Sequence, residues 1–193
     1  MTLAERLKAA GFVTGGFVGA YVLDRRWGIG QGFDTYVDEF DAARAGTKSI
    51  AEIERRGDAV ADRAVAWLKQ VDAPRFFAWV HFYDPHTPYD PPEPFASRYV
   101  GRLYDGEIAF ADAQVGRLIE ELTRSHRLDR TIVIVAADHG ESLGEHGEST
   151  HGFFVYESVI HVPLILRAPC AAIQGRRATQ VVRTVDEIGR AHV

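Results

Sequence analysis

At 193 residues, 46% of them hydrophobic and 25% charged, the chain is long enough for one substantial core and short for two. A net charge of −5, with arginines dispersed and no basic block, argues against nucleic acid or an anionic membrane surface as a partner. The single cysteine, Cys170, excludes an intramolecular disulfide framework, and no apolar run approaches the roughly 18–20 residues that a spanning helix needs.

Thr2 and Glu5 form a capping-box pattern ahead of Leu3, Leu7 and Ala10, with Gly11 placed to end that helix. The opening is amphipathic and unlike a signal peptide, so a soluble chain is expected, with its compartment undetermined and any export signal lying upstream. Residues 12–23, FVTGGFVGAYVL, read as a strand with glycine punctuation, and 24–40 as a loop rich in glycine and aromatics. Ser49 and Glu52 make a second capping box. Ile53, Val60, Ala64, Trp67, Leu68 and Val71 follow at helical spacing, giving a helix of about twenty residues.

RFFAWVHF (75–82) is a buried strand that feeds YDPHTPYDPPEPF (83–95), where the prolines forbid regular structure. Leu103 to Thr123 is a long helix with Ile108, Ala111, Val115, Leu118, Ile119 and Leu122 on one face. TIVIVAA (131–137) is the cleanest strand, HVPLILRAP (161–169) is another, and TQVVRTV (179–185) begins an element left unfinished. Alternating strands and helices, with strands apolar on both faces, predict an α/β fold: a mostly parallel sheet flanked by helices on both faces. No internal repeat or linker appears, which leaves one domain or part of one.

In such sheets ligands bind outside the carboxyl ends of the strands. Both unusual loops, 83–95 and 138–151, begin there. The second starts Asp138-His139-Gly140-Glu141 and is rich in histidine, glutamate and glycine. A carboxylate beside an imidazole suits a divalent cation of intermediate hardness such as Mn2+ or Zn2+, and Ca2+ or Mg2+ less well. Two ligands do not hold a catalytic metal, so further ligands must come from elsewhere. A lone Asp-His pair is more often a turn cap with an exposed imidazole; His146, His151 and the second histidine loop turn the balance toward a metal.

His86, between Pro85 and Pro88, is held in a rigid extended turn and suits a hydrogen-bond donor or general acid toward an anionic ester. His81 reads as a core histidine, and Tyr83 and Tyr89 as packing. GESLG (140–144) matches the G-x-S-x-G nucleophile elbow of serine hydrolases, with Ser142 as nucleophile. The match is weak, because Asp-His separates strand from turn and Gly144 and Gly147 disfavour a following helix. Asp186 and His192 supply the triad order only in the chain's last residues.

Together these segments resemble the sulfatases of the alkaline-phosphatase-like superfamily. TLAERLKAAGFVTGGFVG resembles the helix and strand that follow the family's nucleophile segment, and GQGFDTYVDEF its G-F-D stretch. FFAWVHFYDPHTPYDPP is similar to F-x-x-x-H-x-x-D-P-H-x-P-Y. YDGEIAFADAQVGRLIEEL matches the helix before the metal strand, IVIVAADHGESLGEHG the strand and metal loop, and VYESVIHVPLILRAP the segment after that loop. The likeness covers nearly all of residues 1–186. It implies an incomplete alkaline-phosphatase-like fold and a metal-dependent hydrolase of sulfate monoesters.

By that resemblance Asp138 and His139 are metal ligands and His86 contacts the leaving group or the sulfate oxygens. His151 falls where relatives place a cationic side chain against the ester oxygen, with His146 as its alternative; Asp112 is structural. The implied cofactors are one divalent ion (Ca2+, Mn2+ or Mg2+) and a formylglycine nucleophile lying upstream; the implied partner is a small-molecule or glycan sulfate ester. A phosphodiesterase, phosphonate hydrolase or phosphoglycerol transferase on the same scaffold is the runner-up, ahead of a serine hydrolase or an inactive metal-binding fragment.

The sequence departs from the family pattern at both ends. The C-x-P-x-R nucleophile motif and two acidic ligands are missing, Cys170 is followed by Ala-Ala-Ile, and TGGFVGAYVLD lacks the usual lysine and histidine. VVRTVDEIGRAHV starts like V-x-x-V-D-I-x-P-T and breaks off at Asp186. Residues 1–186 are therefore expected to be a partial catalytic domain, and 187–193 a non-native read-through tail. The isolated chain is expected to turn over aryl sulfates negligibly.

Overall fold

The computed structural model describes residues 1–40, 53–169 and 175–183. It divides into two compact units, Met1–Ser125 and His126–Val193.

The first unit opens with α1 (Leu3–Ala9), closed at both ends as its sequence predicts. The Thr2 hydroxyl accepts the Glu5 N–H at 3.1 Å and the Glu5 carboxylate accepts the Thr2 N–H at 2.6 Å. At the other end Gly11 adopts φ 83°, and the Gly11 and Phe12 N–H groups return to the Lys8 and Leu7 carbonyls at 2.9 and 3.0 Å. This left-handed closure needs a glycine and turns the chain directly into β1 (Val13–Val18).

β1 is the centre of a parallel sheet ordered β2-β1-β3, with β2 at Thr35–Val37 and β3 at Phe76–His81. The strand expected over 12–23 ends at Val18; the chain leaves the sheet through Ala20 into a 3-10 turn at Tyr21–Leu23. β2 lies inside the segment expected to be loop. Three residues are too few for an alternation to register in sequence, and the ladder to β1 is what makes them a strand.

Side chains alternate across this sheet. Phe17 is fully buried against Val60 and Ala64 of α2 (Gly57–Gln70), with Trp67, Val80 and Leu118 packed around them. On the opposite face Phe77 and Trp79 stack on Phe33 from the glycine-aromatic loop, with ring centroids 5.9 and 6.0 Å apart. Gly15 and Gly16 leave room for Trp67 and Tyr36: a Cβ there would lie 2.9 and 2.6 Å from those rings.

The Ser49–Glu52 capping box lies outside the described residues. Within them α2 starts at Gly57, and Arg56 supplies no side-chain cap.

The short α3 (Phe95–Arg98) precedes α4 (Leu103–Arg124), whose bounds match the predicted helix. Its buried face does not match. Phe110 and Leu122 are buried, but so are Glu107, Gln114 and Glu121, while Ile108 is 44% exposed. The buried polar groups have partners: Gln114 donates to the Phe110 carbonyl, Glu121 binds Arg124, and Glu107 accepts the Asp90 N–H. A face read from apolar residues alone is displaced for that reason. Asp112 is exposed on this helix.

The second unit is built on β4 (Val133–Ala136) and β5 (Leu164–Arg167), which pair antiparallel from Val133 opposite Arg167 to Ala136 opposite Leu164. The fold is thus α/β with its parallel sheet in the first unit, and this pair departs from the parallel expectation. Along β4 half-buried and exposed residues alternate, with Ile134 54% exposed, the one-sided pattern natural to an antiparallel pair. A one-turn helix not evident in the sequence, α5 (Glu157–Ile160), precedes β5. Residues 179–183 form no strand; Cys170, Asp186, His192 and the segment 187–193 lie outside the described residues. No helix of the described residues is long and apolar enough to cross a membrane.

Candidate functional site

β3 delivers its chain into the proline-rich loop, and His86 is fixed there from two sides. Its ring stacks on Tyr83 with centroids 4.3 Å apart and planes 18° apart, and Nδ1 lies 2.7 Å from the Thr87 carbonyl. A carbonyl only accepts, so Nδ1 carries the proton and Nε2 is the basic nitrogen. Tyr83, which the sequence presents as packing, is the platform for this imidazole. His81 belongs to a ladder of rings, 6.2 Å from Trp79 and 6.3 Å from Tyr83.

Asp84 has a role that the sequence does not announce. Its Oδ1 accepts the Gly57 N–H at 2.9 Å, so a loop residue caps α2 from 27 positions away. Gly57 must be a glycine for this approach, since a Cβ would sit 2.6 Å from Asp84 Oδ2. Burial pushes the Asp84 carboxyl above the usual carboxylate range.

In the second unit β4 runs into Asp138 and His139. Asp138 is open to solvent, its side chain 83% exposed, and its Oδ1 accepts the His139 N–H at 3.0 Å. His139 Nδ1 donates to the Gly140 carbonyl at 2.7 Å, which directs the lone pair of a neutral ring to Nε2, 3.9 Å from Asp138 Oδ1.

The His151 ring lies 4.0 Å from the His139 ring, and its Nδ1 is 3.1 Å from the carboxylate of Glu141, whose side chain is only 3% exposed. Gly140 makes this crossing feasible. Its N–H meets the Val159 carbonyl at 2.6 Å, and a Cβ would lie 2.1 Å from the Ser158 carbonyl oxygen. His146 goes elsewhere: at φ 58° its ring stacks on Tyr156, 4.1 Å away.

The elbow reading of Ser142 fails on geometry. Ser142 is fully buried, its hydroxyl donates to the Glu145 carbonyl at 3.2 Å, and a 3-10 turn (Glu145–Gly147) follows in place of a helix. A nucleophile elbow presents its hydroxyl at an open strand-to-helix turn.

Among the described residues no group of three or more His, Cys, Asp or Glu side chains is placed to hold a metal. The Asp138–His139 pair nonetheless fits a cation. Metal bonds to oxygen and nitrogen run about 2.0–2.4 Å, and two of them span the 3.9 Å between Oδ1 and Nε2. His86 belongs to the first unit, and Asp138, His139, Glu141 and His151 to the second.

The family model described as Sulfatase matches residues 1–188. An uncharacterized sulfatase of Escherichia coli (strain K12), YidJ, is 29% identical over 160 residues, covering 61% of this chain and 31% of the relative. N-acetylglucosamine-6-O-sulfatase of Bacteroides thetaiotaomicron is 35% identical over 85 residues, 44% of this chain and 15% of that protein. The chain therefore spans about a third or less of these relatives. Among solved structures, phosphonate monoester hydrolase of Agrobacterium radiobacter superposes with a TM-score of 0.68 at 18% identity, over 88% of this chain and 53% of that one. At that identity the likeness speaks for the fold.

Proposed function

Because the chain belongs to the sulfatase family, we propose that it contributes to the site of a metal-dependent hydrolase of sulfate monoesters, with a small-molecule or glycan alcohol as the other half of the ester. The observation that carries this reading is the Asp138–His139 pair, one carboxylate oxygen and one oriented imidazole nitrogen 3.9 Å apart at a strand's carboxyl end.

Asp138 and His139 would hold a divalent ion, Ca2+, Mn2+ or Mg2+, together with acidic ligands outside this sequence. When bound, the ion neutralises charge on the ester and on its transition state. The nucleophile is a formylglycine, also outside this sequence. His151, with Nδ1 on Glu141, keeps its ring over His139 and faces an ester oxygen. His86, held at Nδ1 by the Thr87 carbonyl, takes up a proton at its basic Nε2 and gives that proton to the departing alcohol. Glu141 fixes which nitrogen of His151 carries a proton.

The test is to assay the protein containing this chain with 4-nitrophenyl sulfate, 4-nitrophenyl phosphate and a phosphonate monoester, before and after chelation. Sulfate turnover that disappears with chelator and returns with Ca2+ or Mn2+ is the expected result. Preference for the phosphorus esters transfers the site to the runner-up chemistry, and turnover indifferent to chelation removes the metal reading.

A further inference from the structure

The His86 loop is fastened to the helices beside it by two buried carboxyl groups, and only one of them comes from the loop. Asp84 reaches out to the first N–H of α2. Glu107, in the first turns of α4, reaches in: its Oε1 accepts the Asp90 N–H at 2.7 Å. Glu107 is 5% exposed, and its Oε2 is closed off from solvent without a hydrogen-bond partner among the described residues. Next to it Gly106 lies against buried Pro91, where a Cβ would come within 3.0 Å of the proline ring. Loop and helix are thus in direct contact at the point where Glu107 makes its bond.

We propose that Glu107 is a positioning residue for His86: its carboxyl group clasps the Asp90 N–H and holds the proline-rich loop on α4. The proposal rests on the reading of His86 as the group that faces the ester.

The surroundings explain why the neutral form is held. Burial is the largest cause; the Asp90 N–H bond works against it, the charges of Asp84, Glu54 and Asp90 add to it, and the net effect pushes the Glu107 carboxyl up to about 8. The positive group on this side is Arg56, which acts on Asp84 and Asp90, with its guanidinium 6.0 Å from the Phe110 ring one turn along α4. A protonated Glu107 leaves Asp84 as the only buried negative charge of the two, whereas ionisation sets two desolvated carboxylates against each other. The folded chain holds a proton at Glu107 that the unfolded chain has already released above about 4.5. The closed arrangement with Glu107 buried is therefore most stable below that pH and loses stability progressively as pH rises toward about 8, because the desolvated carboxylate is drawn to solvent.

Amide hydrogen exchange of the full chain reads the clasp at Asp90, corrected for the intrinsic pH dependence of exchange. We expect protection of the Asp90 amide to fall about tenfold or more between pH 7 and 9, and to be lost at all pH values in Glu107→Ala. Glu107→Gln, which keeps the acceptor and has no proton to lose, should stay protected across the range. It also serves as the folded control should the alanine variant fail to fold. Unchanged protection in Glu107→Ala, or the same pH-dependent fall in Glu107→Gln, overturns the clasp.

In an active enzyme containing this chain Glu107→Ala should lower kcat about tenfold at little-changed KM, and Glu107→Gln should restore it. Lost protection with unchanged kcat overturns the positioning role and leaves the esterase reading standing. Absence of sulfate turnover in the parent enzyme strikes that reading and the positioning role with it, while exchange still decides whether Glu107 holds the loop.

Discussion

His86 and His139 both sit just past the carboxyl end of a strand, but the chain holds them by opposite means. The His86 loop is braced by tertiary contacts: a stacked tyrosine, an aspartate capping α2, and a glutamate from α4. The 138–151 loop is braced largely by its own residues, with His139 on the Gly140 carbonyl, His151 on Glu141 and Gly140 threaded past Ser158. One imidazole is positioned by a packed scaffold and suits a proton donor whose aim must be fixed. The other stands beside an exposed carboxylate, its Nε2 3.9 Å from Asp138 Oδ1, where the proposed function puts a cation.

Substitutions can break that contrast. Asp138→Ala removes the only carboxylate beside His139 Nε2 among the described residues and should lower metal-dependent turnover about 10³-fold, with cation binding lost in calorimetry and the fold intact by circular dichroism. His86→Ala should lower kcat about 10²-fold while leaving cation affinity unchanged. The loss should be greatest for esters of poorly acidic alcohols, which most need a proton donor. Equal losses of cation affinity in both variants would erase the distinction between the two loops.

Gly140→Ala forces a Cβ against the Ser158 carbonyl and should destabilise the second unit by about 2 kcal/mol, seen as a lower urea midpoint. Glu141→Gln weakens the hold on His151 without changing volume. It should cost about tenfold in kcat/KM, with KM carrying part of the change, since the proposed function has His151 facing the ester in the ground state too.

The same contrast governs how much of the molecule is legible in sequence. Thr2, Glu5 and Gly11 announce α1 because a helix closes with residues three or four apart, and the apolar runs of β3 and β4 announce strands for the same local reason. β2 is invisible, since Thr35–Val37 becomes a strand only by pairing with β1. The antiparallel pairing of β4 with β5 is likewise decided by residues some thirty positions apart. In the candidate site, Asp138, His139 and His86 stand out because strand ends and prolines frame them. Asp84, Glu107 and Glu141 do not, because each acts through a partner that only folding brings near. The buried glutamates of α4 displace its inner face from the apolar stripe, which a reading of apolar spacing alone does not reveal.

Paramagnetic broadening by Mn2+ in the 15N-labelled chain tests the cation pair most directly. The imidazole signals of His139 and His151 and the amides of 138–140 should broaden first, and Asp138→Asn should abolish the effect while those signals stay in place. Broadening that survives Asp138→Asn, or that centres on exposed acidic groups such as Asp129 and Glu157, would contradict a cation held by Asp138 and His139.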